Sequence, residues 1–340
     1  MKKILFSIFI LALLILSCSS NKNTANDYNP TDYMNTIKAK NLSKHLYIIA
    51  SDEMEGRNTG EPGQKKAGEY LINHYKSIGV NFPKGATEYY QRIPSEFFKK
   101  QFSPKLGDSE NIWAFIEGSE KPEEILVISA HYDHVGMKNG EVYNGADDDG
   151  SGTVTLLELA AAFQKAKKDG KGPKRSILFL HVTGEEHGLH GSRFYTENPL
   201  FPLANTIADI NIDMVGRRGY GKEANDNYIY VIGSDRLSSD LHNLSEAANS
   251  KYIGMQLDYT YNDLKDPNRF YYRSDHYNFA KNGIPSIFYF NGVHDDYHKP
   301  TDTPDKIDYT LLAKRAQLAF VVAWELANNP ERPKVDKDGK

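Results

Sequence analysis

The sequence predicts an α/β fold, a three-layer sandwich in which a mixed, mostly parallel central sheet carries helices on both faces. Short, fully apolar runs such as 125–130, 177–182 and 207–212 alternate with amphipathic segments of helical length. Such runs are typical of strands that are buried on both faces. Since neither an internal repeat nor a long linker follows the first thirty or so residues, we expect one domain over residues 32–328.

Hydrophobic periodicity and turn residues predict the other elements. A helix over residues 41–50 is followed by a polar, Gly-rich loop, and a second helix over 64–78 ends at Gly79. Further predicted elements are strands at 111–116, 228–232 and 285–290 and helices at 152–167, 237–250 and 311–328. Residues 81–107 combine aromatic side chains with Pro, Gly and Lys, and we predict irregular structure there.

The N-terminus has the pattern of an exported protein. A basic start is followed by an apolar stretch over residues 4–16, too short for a stable membrane span. The ending Ile15-Leu-Ser-Cys18 resembles the bacterial lipoprotein signal, which implies that residues 1–17 are removed and that Cys18 is lipidated. We therefore expect a protein anchored to a membrane of the cell envelope, facing the periplasm or in the outer membrane. An ordinary secretory signal is the alternative, and the mass added to Cys18 distinguishes the two.

Composition limits the remaining possibilities. Residues 18–31 are polar and predict a flexible tether, and residues 329–340 predict a charged tail that frays. Cys18 is the only cysteine, so no internal disulfide is possible. Without residues 1–17 the chain has 39 basic and 45 acidic residues, a formal charge of −6. This acidity and the absence of a basic stripe argue against a nucleic-acid partner.

Metal-capable side chains follow four of the predicted strands. They are His131 and Asp133, the aspartates of Asn144–Gly152, Glu185 and Glu186, Asp213, and the histidines and aspartates of His294–Thr303. Because ligands of such sheets bind at the carboxyl ends of the strands, we expect these side chains to meet at one edge. The adjacent Glu185 and Glu186 repel each other and point in different directions on extended backbone. One can therefore bind a metal while the other acts as a base.

The order of these motifs resembles the co-catalytic di-zinc aminopeptidase family, which includes secreted bacterial leucyl aminopeptidases and, more distantly, glutamate carboxypeptidase and glutaminyl cyclase. The similarity spans about residues 35–328 and includes Ser51–Arg57 and Arg273–His276. The motifs that carry it are His-x-Asp, Gly-Ala-Asp-Asp-Asp-Gly-Ser-Gly, Glu-Glu, Asn-x-Asp-Met and Tyr-His-x-Pro-x-Asp-Thr. The glycine-rich acidic motif is the most specific of them.

The resemblance implies two Zn²⁺ ions and a role for each matching position. Asp147 would bridge both metals, His131 and Asp213 would complete the first site, and Glu186 and His298 the second. Three carboxylates and one hydroxide would then neutralise two divalent cations.

The family pattern also implies roles around the metals. Asp133 would accept the far N–H of His131, and Glu185 would be the general base. Tyr297 would stabilise the oxyanion, and a cis peptide bond would join Asp147 to Asp148. Asp148 would then support the site from outside the ligand set. For Asp149, an acidic residue just before a helix, capping of that helix is the simplest role.

These features predict a lipid-anchored zinc exopeptidase, most simply an aminopeptidase that uses a metal-bridging hydroxide and a Glu base on a peptide substrate. Three alternatives stay open at this point. They are another exopeptidase such as a dipeptidase or carboxypeptidase, a glutaminyl cyclase with a single zinc, and a catalytically inactive binding lipoprotein. The sequence does not identify the preferred side chain or the oligomeric state.

Overall fold

A computed structural model describes residues 29–339. The expected signal peptide, Cys18 and nearly all of the expected tether lie outside this range, so export and lipidation stay predictions. Within residues 29–339, no helix is both long and apolar enough to cross a membrane.

The described residues alternate between strands and helices. The strands are β1 (Tyr90–Ile93), β2 (Ser109–Ile116), β3 (Lys121–His131), β4 (Met137–Lys138), β5 (Glu141–Val142), β6 (Arg175–Val182), β7 (Thr206–Ile212), β8 (Tyr228–Ile232), β9 (Gln256–Asp258) and β10 (Ser286–Phe290). The helices are α1 (Thr31–Met34), α2 (Ala39–Ile49), α3 (Pro62–Ile78), α4 (Ser95–Lys100), α5 (Gly152–Lys168), α6 (His190–Glu197), α7 (Ser239–Tyr252), α8 (His276–Ala280) and α9 (Tyr309–Asn328).

Eight strands form the central sheet in the order β1-β2-β6-β3-β7-β10-β8-β9. The four middle strands β6, β3, β7 and β10 are mutually parallel, and antiparallel pairs flank them on both sides. The predicted mixed, mostly parallel sheet is therefore confirmed. His131 pairs with Val182 at the ends of β3 and β6, so the carboxyl ends of the middle strands lie at one edge.

Helices cover both faces of the sheet, as the apolar strands predict. One face packs against α2, α3, α5 and α9 in the largest apolar cluster, where Phe163 lies 4.6 Å from Phe320 and 5.9 Å from Trp324 between ring centroids. The opposite face buries Val127 and Leu180 against Tyr195 of α6. The middle strands are thus shielded from water on both sides, and only their ends are available for chemistry.

Two regions differ from the sequence prediction. Residues 81–107 contain β1 and α4, which are too short to produce a periodic signal. The tail after residue 328 was expected to fray, and this expectation is wrong for its described part. The backbone N–H groups of Asp336 and Gly339 donate to the carbonyls of Leu237 and Arg236, at 3.0 and 3.1 Å.

A fully buried arginine holds together the loops beside the carboxyl edge. Arg57 ends a short helical turn, Asp52–Arg57, and donates hydrogen bonds to four backbone carbonyls. The acceptors are the carbonyls of Tyr132 at 2.9 Å, Ile49 at 2.8 Å, Asn144 at 2.7 Å and Gly145 at 2.9 Å. Burial lowers the pKa of this guanidinium, and nearby aspartates oppose that shift. The end of β3 and the loop before α5 are therefore fixed to each other through one side chain.

Replacing Arg57 with Met should leave those carbonyls without their donors. Each unsatisfied buried acceptor costs about 1–3 kcal/mol, so the free energy of unfolding should fall by about 3 kcal/mol or more. Urea unfolding of the metal-free protein measures this change. Arg92→Met, which removes an exposed ion pair to Glu88, is the control and should cost less than about 1 kcal/mol. Equal losses in the two variants would contradict this role of Arg57.

Candidate metal centre

The carboxyl edge of the middle strands brings together the side chains that the sequence singled out. His131 is the last residue of β3, and Asp213 directly follows β7. Glu185 and Glu186 follow β6 after a turn, and His298 lies in the loop after β10. Residues far apart in the chain meet here because four parallel strands end at the same edge.

The first group of side chains centres on His131. Its Nε2 atom lies 3.2 Å from Oδ1 of Asp148 and 3.6 Å from Oδ1 of Asp213. Ser274 donates a hydrogen bond of 2.6 Å to the other oxygen of Asp213 and so fixes that carboxylate. Burial alone would lower the pKa of His131, but the charges of Glu185 and Asp213 and the hydrogen bond to Asp148 raise it well above its usual value.

The second group centres on His298. Its Nε2 atom lies 2.9 Å from Oδ2 of Asp148 and 3.0 Å from Oε2 of Glu186. Burial opposes protonation of this imidazole, but its hydrogen bonds to the two carboxylates outweigh burial and raise its pKa to about 10. The carboxylates of each group therefore favour the protonated, positively charged form of their histidine, as expected for carboxylates that lie close together.

Asp148, and not Asp147, lies between the two groups, and here the sequence-based assignment is wrong. The two oxygens of Asp148 face His131 and His298 separately. Both oxygens of Asp147 are occupied elsewhere, because Oδ1 accepts from the N–H of Gly216 at 2.6 Å and Oδ2 lies 3.0 Å from Nε2 of His294. The expected roles of the two aspartates are thus exchanged. Asp148 occupies the position between the two histidines that was expected of Asp147, and Asp147 supports its loop.

The predicted cis peptide bond is displaced by the same single residue. It joins Asp148 to Asp149 and not Asp147 to Asp148. Asp149 accepts from the N–H groups of Gly152 at 2.9 Å and Met214 at 3.1 Å, so it binds the start of α5, the role expected of it, and also contacts the β7 loop. Gly152 is required there because a Cβ atom would lie 2.1 Å from the carbonyl oxygen of Ile212.

Asp133 stands next to His131 but contacts it differently from the expectation. The Nδ1 atom of His131 lies 3.1 Å from the backbone carbonyl of Asp133 and 3.8 Å from its carboxylate. The carboxylate instead accepts from the hydroxyl of Thr59 at 2.7 Å and from the N–H of Glu185 at 3.3 Å. Asp133 therefore orients His131 through its main chain and Glu185 through its side chain.

Glu185 and Tyr297 line a small cavity beside both groups. The Oε2 atom of Glu185 lies 4.0 Å from Nε2 of His131, and its side chain is 12% exposed. Burial and the neighbouring charges of Glu186 and Asp213 raise the pKa of Glu185 well above its usual value. The ring of Tyr297 stacks on His298 with centroids 3.9 Å apart, and burial raises its pKa, so the hydroxyl keeps its proton at neutral pH.

The donor atoms of this centre fit one or two zinc ions. Several buried atoms make no well-aligned hydrogen bond to a described residue, although some lie close to an oppositely charged group, and they converge on the same small volume. These atoms are Nε2 of His131, both ring nitrogens of His134, Oδ2 of Asp148, Oε1 of Glu186 and Nε2 of His298. Buried polar atoms without partners are costly, and imidazole nitrogens with carboxylate oxygens are ligands that suit zinc.

Three residues important to this geometry received no role from the sequence. The carboxylate of Asp302 accepts from the N–H of Asp147 at 3.0 and 3.1 Å and from that of Asp148 at 3.2 Å. It thereby holds the backbone of the bridging position. Asp302 lies within the Tyr-His-x-Pro-x-Asp-Thr motif, which was the available signal. Ser274 makes two side-chain hydrogen bonds, to Asp213 and Asn211. His294 also makes two, to Asp147 and the N–H of Asp296, and no sequence pattern predicts such contacts.

Known proteins share sequence similarity with this chain over the residues that form the centre. The profile of Peptidase family M28 matches residues 111–323, more than half of the chain. A probable leucine aminopeptidase of Trichophyton verrucosum is 35% identical over 225 residues, which are 64% of this chain and 57% of the relative. The chain thus matches little more than half the length of that relative.

Solved structures share the fold at low identity. A zinc aminopeptidase from Bacillus subtilis has a TM-score of 0.65 at 16% identity, covering 89% of this chain and 99% of its own. The glutaminyl cyclase of Porphyromonas gingivalis also has a TM-score of 0.65, at 19% identity, covering 84% of this chain and 97% of its own. At such identities the likeness establishes the fold alone, and the profile match establishes the family. The chain belongs to Peptidase family M28.

Proposed function

We propose that this protein is a zinc-dependent aminopeptidase that removes N-terminal residues from peptides. The observation that carries the proposal is the position of Asp148, whose two oxygens face two separate histidine–carboxylate groups, with Glu185 at their side. The family assignment, the probable leucine aminopeptidase of Trichophyton verrucosum and the zinc aminopeptidase of Bacillus subtilis support the same reaction.

The centre has donors for two zinc ions. His131 and Asp213 would hold the first ion, Glu186 and His298 the second, and Asp148 would be shared. When bound, zinc ions lower the pKa of a water molecule and polarise the scissile carbonyl.

The chain's own residues supply the proton transfers and the electrostatic support. Glu185 would accept the proton of the attacking water and deliver it to the departing amine. The pKa of Glu185 is raised from its usual value towards neutral pH, which suits a group that must both accept and release a proton. Tyr297, which keeps its proton, would donate a hydrogen bond to the oxyanion from its place above His298.

The walls of the small cavity beside the metal centre are mostly apolar. Its other lining residues are mostly aromatic or aliphatic: Met214, Phe270, Phe288, Phe290 and Val293, with Arg273 at the same cavity. Burial of an apolar group against such surfaces is favourable by about 25 cal/mol per Å². We therefore propose apolar N-terminal residues as preferred substrates.

A panel of apolar dipeptide and tripeptide amides, each free or acetylated at the N-terminus, tests the proposed reaction. The zinc-loaded protein should cleave the free peptides after the first residue, and acetylation should abolish cleavage. Glu185→Gln should lower kcat by about 100-fold or more, because the proton carrier is lost, while the zinc content stays unchanged. Cleavage of acetylated peptides, cyclisation of N-terminal glutamine in place of hydrolysis, or full activity of Glu185→Gln would contradict the proposal.

Asparagine substitutions distinguish the two neighbouring aspartates. Loss of a residue that only contacts a metal ligand lowers metal affinity by about 10–100-fold. Because Asp148 is proposed as a ligand itself, Asp148→Asn should lower the zinc affinity of both metal positions by about 100-fold or more. Asp147→Asn keeps an acceptor for Gly216 and should still bind two zinc ions per chain. Zinc content after dialysis measures the difference, and thermal unfolding without metal checks that both variants fold. Retention of zinc by Asp148→Asn together with its loss from Asp147→Asn would reverse the assignment.

Zinc binding should release protons at neutral pH. The pKa of His298 is raised to about 10 from 6.5, and that of His131 is also raised, so both are protonated at pH 7 in the metal-free protein. Because these histidines bind protons more tightly in the folded state, their protonation contributes to the free energy of unfolding of the metal-free protein, fully below pH 6.5. This contribution is lost as the pH rises through the pKa values of the folded state. Because zinc binds only neutral imidazole, its apparent affinity should rise with pH in the same window.

Calorimetry of zinc binding at pH 7 in buffers of different ionisation enthalpy counts the released protons. We expect at least two per chain, one from each imidazole. A binding enthalpy that does not depend on the buffer would contradict the protonated metal-free state.

A further inference from the structure

A third histidine lies at the centre and has no part in the proposed reaction. His134 is fully buried, and neither of its ring nitrogens has an aligned hydrogen bond to any described residue. Its Nδ1 atom nevertheless falls within 4.8 Å of ligand atoms of Asp148 and Glu186. Burial of an imidazole without hydrogen-bond partners lowers the free energy of unfolding, so a functional role would explain its position beside two carboxylates.

The backbone places His134 there rigidly. Its N–H donates to the carbonyl of Arg57 at 3.2 Å, and the residue forms a parallel bridge with Asn58. On the other side a Cβ atom at Gly145 would lie 2.2 Å from the carbonyl oxygen of Asp148 and 2.5 Å from two ring carbons of His134. Gly145 also has a φ of +54°, a region that favours glycine. The loop before Asp148 therefore packs directly against this imidazole.

The carboxylate of Glu186 lies between two imidazoles. Its Oε1 atom is 2.7 Å from Nδ1 of His134, and its Oε2 atom is 3.0 Å from Nε2 of His298. The distance to His134 is that of a hydrogen bond, and a small rotation of the ring would align it. It is also the shortest imidazole–carboxylate distance of the centre, since the others are 2.9–3.2 Å between His298 or His131 and their closest carboxylate oxygens. His134 and Oε1 thus have the spacing of a hydrogen-bonded donor–acceptor pair.

We propose that His134 is a positioning residue for the second metal position: an N–H on Nδ1 holds Oε1 of Glu186 and thereby presents Oε2 to the metal. This inference rests on the proposed function, since it assigns Glu186 to a bound zinc ion. The edge of the His134 ring faces His298, with centroids 5.7 Å apart and planes at 72°, so the same side chain also limits the movement of the other ligand. An outer contact of this kind typically contributes 10–100-fold to metal affinity.

Substitution of His134 by Leu and by Asn tests the proposal. Leu fills the space without a donor, and Asn keeps an N–H near the place of Nδ1. Zinc affinities come from competition with a chromophoric chelator, and thermal unfolding of metal-free and zinc-loaded protein separates metal binding from packing. We expect His134→Leu to lower the affinity of one of the two metal positions by about 10–100-fold, with His134→Asn recovering part of the loss.

The metal-free unfolding temperature of His134→Leu should change little, because the lost contact to Glu186 is offset by removal of Nε2, a buried nitrogen without a partner among the described residues. His181→Leu is the matched control, a fully buried histidine whose Nε2 lies 2.7 Å from the hydroxyl of Tyr75 and whose Nδ1 has no partner among the described residues. It should lower the stability of the metal-free and loaded forms equally and leave zinc affinity unchanged.

Three results would overturn the inference. The first is that His134→Leu keeps zinc affinities within about threefold of wild type at both metal positions, and the second is that it loses zinc affinity equally at both. The third is that it loses metal-free stability as His181→Leu does, without a change in zinc affinity. Wild-type protein is titrated in the same series. If it binds no zinc, the proposed function fails as well; if it binds two ions and His134→Leu does the same with unchanged affinity, only the role of His134 fails.

Discussion

Mutual repulsion among buried carboxylates is the constraint on which the rest of the centre depends. Asp148, Glu186 and Asp213 share a volume that is largely closed to water, and Glu185 stands beside them. Such a cluster is stable only with compensating positive charge. In the metal-free protein the imidazoles provide that charge by holding protons, which is why the pKa of His298 rises to about 10. Metal binding and imidazole protonation are therefore competing solutions to the same electrostatic problem.

Around this cluster, hydrogen bonds between protein groups fix the side chains and loops in place. Ser274 holds Asp213, the carboxylate of the buried Asp302 holds the backbone of the Asp148 loop, and Arg57 ties that loop to the end of β3. The fold itself therefore orients the donor atoms. Preorganisation of this kind reduces the cost of assembling the site.

The sequence predicted the strands and their shared edge well, because apolar runs and strand ends are encoded locally. It did not predict which of three consecutive aspartates lies between His131 and His298, since that depends on the backbone path of the turn before α5, and Asp147 was chosen in place of Asp148. The described part of the tail was also misjudged. It is held by backbone N–H groups that donate to the carbonyls of Arg236 and Leu237, a contact with no side-chain signature.

Anomalous scattering at the zinc edge, from crystals of the zinc-loaded protein, tests the central claim most directly. We expect two peaks about 3.5–4 Å apart, one on each side of the Asp148 carboxylate. One peak should lie against His131 and Asp213, and the other against Glu186 and His298. A single peak, or a pair of peaks that shares Asp147, would contradict the account.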